Sequence, residues 1–151
     1  MNRRQKAIIQ NFISVSIGTT VFILVMINVK DIVNKSEAMR AMELLGKSVQ
    51  EYRKKYHSTP PESYIVRQKE DLRAVRLGEL KYRAQWVEFG AEPDTILGYS
   101  RKNYISFVEK GYIVLRLSGR VEWMKKKEFE KLLKEQQTQA EIELLRESSK
   151  F

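Results

Sequence analysis

Few side chains in this sequence could carry chemistry. Glu88, Glu92 and Asp94 gather around Gly90 with no Lys or Arg immediately beside them. Clustered carboxylates are the donor type that holds a hard cation such as calcium, but the ligand spacing of an EF-hand loop is absent. The other carboxylates mostly adjoin Lys or Arg. His57 is the one histidine and there is no cysteine, which excludes multi-histidine metal sites, disulfides, thiolate ligands and cysteine nucleophiles. His57 stands beside Lys54 and Lys55 at an expected helix end, where it can meet free carbonyls. There is no phosphate-cradling glycine loop, no nucleophile elbow and no HExxH pair. The expectation is therefore a protein without catalytic residues, cofactor, metal or small-molecule substrate. Its work would be done by surfaces, and the elements that present those surfaces become the question.

The 151 residues allow one domain and an appendage, and 42% hydrophobic with 31% charged residues rules out a polytopic membrane protein. The net charge of +9 is unevenly spread. Arg3, Arg4 and Lys6 supply three positive charges, and seven Lys/Arg against four Asp/Glu between positions 30 and 57 supply three more. Most of the excess thus flanks one hydrophobic segment. A nucleic-acid binder would more usually concentrate it on a folded face beside aromatic platforms, so nucleic acid is not expected as a partner.

That segment, residues 12–29, reads FISVSIGTTVFILVMINV, 18 residues with no charge and five polar side chains. As a helix it covers about 27 Å, close to the ~30 Å hydrocarbon core of a bilayer. Serine and threonine hydroxyls can bond back to carbonyls one turn earlier, so they do not prevent insertion. Phe12, Val21, Phe22, Ile23, Leu24, Val25 and Ile27 are the expected lipid-facing anchor. A cleavable signal would share the basic start but needs a small-x-small cleavage site, and none follows Val29. A buried core helix would show a polar face, absent from residues 21–27. Lys/Arg density is higher before the span than after it, which places the N-terminus inside and the body of the protein outside the cytoplasm, tethered in the cytoplasmic (inner) membrane.

Beyond the span, Ala38, Ala41, Met42, Leu45, Val49, Tyr52 and Tyr56 recur at spacings of three and four, the stripe of an amphipathic helix. Ser36 could cap a separate helix, yet no proline occurs before Pro60, so one helix from about Ala7 to Tyr56 is also allowed. Pro60 and Pro61 end it. Residues 70–80 are compatible with a short helix.

From Tyr82 the period changes to two. Strands are expected over residues 82–89, 95–99, 104–108, 112–117 and 120–124, separated by turns at 90–94, at Lys110-Gly111 and at Ser118-Gly119. Within 112–117, Ile113, Leu115 and Leu117 make the better core face. Residues 125–148 are rich in good helix formers. The first half can dock on the sheet; the second, beyond Gln136, reads as a solvated or partner-seeking extension.

This order of elements resembles the pilins and pseudopilins of type IV pilus and type II secretion systems. Residues 51–61, EYRKKYHSTPP, look like the Tyr-containing, proline-terminated end of a pseudopilin's long helix. Residues 112–129, YIVLRLSGRVEWMKKKEF, are similar to a strand, glycine turn, strand, helix ending that often reads V-L-F-x-D-G-H-V-E-W in pilin-like proteins; here Ser118 replaces the acidic residue and Arg120 the histidine. A prepilin carries a small residue before its apolar helix and a glutamate five positions beyond the cut. With Ala7 in the first role, cleavage would expose Ile8 and position five falls on Phe12; the first glutamate is Glu37. The resemblance with this departure implies a permanently anchored component.

The expected fold is α+β: a long N-terminal hydrophobic and amphipathic helix packed on an antiparallel β-meander, with a C-terminal helix. Residues 1–6 form a basic flank, 7–29 the transmembrane helix, 30–57 its amphipathic continuation, 58–124 the loop and sheet region, and 125–151 the charged helix. Leu45, Val49, Tyr52, Tyr56, Trp86, Leu115 and Trp123 are the expected helix–sheet core. The expected function is a single-pass, pilin-like structural or assembly component, with the membrane and protein partners, like or unlike, meeting its N-terminal helix. The alternatives are a membrane-tethered adaptor that binds a protein through its C-terminal helix, and a basic binder of nucleic acid or anionic lipid.

Overall fold

The computed structural model describes residues 2–148. Helix α1 runs without interruption from Arg3–Tyr56, 54 residues. It needs no cap at Ser36, because the sequence between the span and the stripe holds no proline and no glycine to break the hydrogen-bond ladder. It ends at His57, which adopts the left-handed conformation (φ 48°) and donates its N–H to the carbonyl of Arg53 at 3.0 Å. His57 is exposed.

Helix α2 follows at once, over Glu62–Asp71 with Pro61 at its N-cap, and a single 3-10 turn covers Val75–Leu77. The helix thus lies earlier than the expected 70–80. Strand β1 is only Lys81–Tyr82, β2 is Ile96–Lys102, β3 is Gly111–Arg116 and β4 is Val121–Lys125. They pair antiparallel in the order β1-β2-β3-β4, a meander. Helices α3, Lys126–Gln136, and α4, Gln139–Ser148, complete the chain's described part. The fold is α+β in the layout that the sequence implies.

Strand β3 is buried along its whole length because both faces are covered. On one face Ile113 and Leu115 join Leu97, Leu117 and the α1 residues Ala38, Met42, Leu45 and Val49, with Ile65 of α2 and Leu77 closing the cluster. On the other face Tyr112 and Val114 pack with Ile96, Met124 and Phe129 of α3; the Tyr112 and Phe129 rings stack at 4.0 Å. The core side chains therefore alternate along β3, as a two-residue period demands. Helix and sheet approach closely where Gly46 of α1 meets the β3–β4 turn: a Cβ there would lie 2.9 Å from Leu115 Cδ1 and 3.0 Å from the Gly119 carbonyl oxygen. Gln50 Nε2 and Arg53 Nη1 both donate to the Leu117 carbonyl at 2.7 Å, fixing the last turns of α1 on that same corner.

Two expected strands do not form. Residues 84–86 make a 3-10 turn instead of continuing a strand, because Arg83 turns inward to buried partners. Residues 103–110 form a loop, and Gly111 opens β3 instead of closing a turn with Lys110. The second half of the C-terminal segment is also not a free extension. Glu141 of α4 is buried and reaches Arg83 at 2.7 Å.

Candidate functional site

The structural feature that invites a function is the N-terminal half of α1 together with the loop that docks beside it. Residues 8–27 hold large apolar side chains that pack on nothing: Ile8, Phe12, Val21, Phe22, Ile23, Leu24, Val25 and Ile27 are all exposed or nearly so, and Ala7 is exposed too. The best 18-residue window of the helix has a mean hydropathy of 2.2 and is 0% buried. Two of its polar side chains bond back to the helix, Thr20 Oγ1 donating to the Ser16 carbonyl at 2.9 Å and Asn28 Nδ2 to the Leu24 carbonyl at 2.8 Å. Such a helix offers lipid an apolar cylinder with no unmet donor on those two side chains. A single long apolar N-terminal helix of this kind is consistent with a single-pass membrane anchor.

At the end of the span the helix meets residues 103–110. Asp31, just past the apolar run and buried, accepts the backbone N–H groups of Ile105 and Ser106 on Oδ2, each at 3.1 Å. One turn earlier, Asn28 Oδ1 accepts the N–H of Phe107 at 3.1 Å. Three consecutive amides are thus capped by two helix side chains where strand pairing would otherwise take them. The side-chain hydrogen bond from Ser106, then its backbone amide, hold the Asp31 carboxyl below its ordinary range. Tyr104 stacks on Trp123 at 6.1 Å between centroids, and Lys35 Nζ sits 4.0 Å over the same indole. Gly111 lets this happen, since a Cβ there would lie 2.7 Å from the Trp123 ring and 2.4 Å from the Met124 carbonyl oxygen. Lys125 closes the loop from below through Glu109 at 3.0 Å.

The residues expected to make the helix–sheet core separate into three groups. Leu45, Val49 and Leu115 are fully buried together. Trp123 packs on them from the edge, and Tyr52 is half-buried, tilted against Tyr56 and Tyr64 at 4.5 and 4.7 Å. Tyr56 and Trp86 do not belong. Tyr56 is 54% exposed at the end of the stripe, and Trp86, displaced by the 3-10 turn, is half-buried in a shallow cleft beside Gln136 and is not part of the cluster.

Glu88, Glu92 and Asp94 do not converge either. Asp94 pairs with Arg120 at 3.2 Å, and among the described residues no group of three or more Asp, Glu or His side chains is arranged to hold a metal. A concavity of about 630 Å³ lies between α2 and the 3-10 turn after it, lined by Ile65, Val66, Ala74, Val75, Leu80 and Tyr82 with Lys69 and Arg73 among its polar residues. Lys69 is bonded to the Gly78 carbonyl, leaving the groove mostly apolar.

The residues that sequence reasoning missed are Asn28, Asp31, Ile105 and Phe107. The available signal was an acceptor-bearing pair, Asn28 and Asp31, between the apolar segment and the stripe, and a largely apolar run, residues 104–108, bracketed by Asn103 and Glu109. Comparison with protein-family models, curated proteins and solved structures finds no match to this chain.

Proposed function

We propose that this protein is a single-pass, N-terminally anchored structural or assembly component of the pilin-like kind, serving a pilus-type or type II secretion-type system. The observation that carries the reading is α1: one helix whose first half is apolar and uncovered while its second half is the backbone of the domain core. That division of labour between membrane and domain is what a tethered assembly subunit requires, because it presents a lipid-soluble helix to neighbours and a folded head beyond the bilayer. The denser positive charge before the span favours the N-terminus in the cytoplasm and the head outside the cytoplasmic membrane. Partners, like or unlike, would meet the uncovered half of α1. The adaptor alternative draws on the outward Ile142 and Leu144 of α4, but the buried Glu141 holds that helix to the domain.

The test is the intact mass of the membrane-extracted protein together with protease accessibility of its head in intact cells and spheroplasts. A head cleaved only once the outer barrier is opened supports the proposal. Loss of residues 1–7 would add pilin-type processing, and full length would mean a permanent anchor. A head protected in spheroplasts would place it in the cytoplasm and end the pilin-like reading.

A further inference from the structure

Ile105 and Phe107 are the two most exposed large apolar side chains among the described residues, 94% and 87% accessible. They stand on a loop that is tied down at four points, by Asp31, Asn28, Trp123 and Lys125, so their exposure is built in. Their height is fixed as well. Their own amides bond to Asp31 and Asn28 of α1, which straddle the end of the uncharged segment, where a spanning helix leaves the hydrocarbon for the headgroups. The cleft beside Ile105 is lined by Lys30, Asp31 and Arg76, the last paired with Glu37 at 3.2 Å, which leaves Lys30 as a cation placed for an anionic headgroup.

We infer that the loop of residues 103–110 is a second membrane contact, inserting Ile105 and Phe107 into the interfacial layer of the leaflet from which α1 emerges, so that the head is seated on the bilayer at two points. The bilayer is the occupant, because the patch is docked through Phe107 on Asn28, at the end of the exposed apolar surface of α1. This rests on the anchor reading above.

The chain lacks cysteine, so a single introduced thiol reports one position without background. Full-length Phe107→Cys, Val25→Cys and Lys134→Cys would each be labelled with the environment-sensitive dye NBD and reconstituted into vesicles of phosphatidylcholine and phosphatidylglycerol, with lipid nitroxides as quenchers. The expected result is blue-shifted, nitroxide-quenched emission at 25 and 107 and water-like emission at 134. At 107 quenching should be about twofold stronger from a nitroxide near the headgroup than from one at mid-chain, as for groups about 5–10 Å into the boundary. Quenching at 25 with water-like emission at 107 overturns the seated loop and leaves the anchor standing. A blue-shifted 107 that lipid nitroxides do not quench also overturns it, since a protein surface is then the cover. Water-like emission at 25 removes the anchor and the inference with it. Ile105→Cys should repeat the 107 result.

Discussion

Arg83 and Glu141 meet across 58 residues of chain in a two-pronged pair, Nε to Oε1 at 2.7 Å and Nη2 to Oε2 at 2.9 Å, with both side chains buried. Arg83 also donates to the carbonyls of Ile96 and Gln136 at 2.7 and 3.0 Å. One guanidinium therefore joins the start of the sheet, strand β2, the end of α3 and the first turn of α4.

Removing one member of such a pair strands the other charge in the interior, a loss of about 3–5 kcal/mol. Glu141→Ala should lower the unfolding free energy of the detergent-solubilised protein near the low end of that range, since two carbonyls still hold Arg83. Truncation after Gln136 should do the same. The double variant Arg83→Met, Glu141→Leu should recover most of the loss. Urea titration followed by tryptophan fluorescence checks this, and a Glu141→Ala change below about 1 kcal/mol would show the pair to be solvated.

Gly46→Ala pits helix propensity against space. Alanine gains about 1 kcal/mol in a helix interior. Here, however, the new methyl would sit 3.0 Å from the Gly119 carbonyl oxygen and 2.9 Å from Leu115. The helix must then back away from the turn and stretch the Gln50 and Arg53 bonds to Leu117. A net destabilisation of about 1–3 kcal/mol is expected from overpacking, read as a lowered thermal midpoint; an unchanged or raised midpoint would contradict the close approach.

Alkali should unfold the head through its tyrosines. Burial pushes the phenol of Tyr82 well above its usual value, and burial raises Tyr64, Tyr99 and Tyr104 as well. A phenol with a raised folded pKa adds stability that is fully present below its unfolded value near 10 and is lost as pH climbs through the folded value. Lys102 works in the opposite sense: burial lowers its pKa, so deprotonation just below the ordinary lysine range favours the fold. With four phenols against one amine, the unfolding midpoint should fall between about pH 10 and 12. Tyr82→Phe should flatten that fall while costing about 1 kcal/mol at pH 8, where the hydroxyl donates to the Pro60 carbonyl at 3.0 Å. Identical pH slopes in the two proteins would refute a buried Tyr82 phenol.

Asp31→Ala removes the acceptor that holds two amides of the 103–110 loop. Limited trypsin digestion should then cut after Lys110 faster than in the parent, with the head's melting behaviour little altered. Equal cleavage rates would mean that Tyr104 on Trp123 suffices to hold the loop.

The sequence exposes those parts of the fold that depend on neighbours in the chain. The unbroken α1 follows from a proline-free run, and the face of β3 that meets α1 from the alternation of Ile113 and Leu115, carried on by Leu117 just past the strand. Failures came where distant residues decide. Residues 104–108 alternate like a strand, but their amides are claimed by Asn28 and Asp31, more than seventy residues away. The run after Tyr82 alternates too, yet Arg83 is drawn inside by Glu141, a partner that no local pattern reveals. As for the candidate site, the apolar span is legible from composition alone. The docked loop beside it is not, because Ile105 and Phe107 look like ordinary core residues until their exposure is seen.

An uninterrupted α1 also has a mechanical consequence. At 1.5 Å per residue its 54 residues make a rod of about 81 Å. With no joint between the uncovered apolar half and the half that the sheet grips, a tilt of about 10° swings a point about 40 Å up the rod sideways by about 7 Å. In the anchored arrangement proposed above, force applied to the head would be delivered to the span as torque, and a change in membrane thickness would be delivered to the head as displacement.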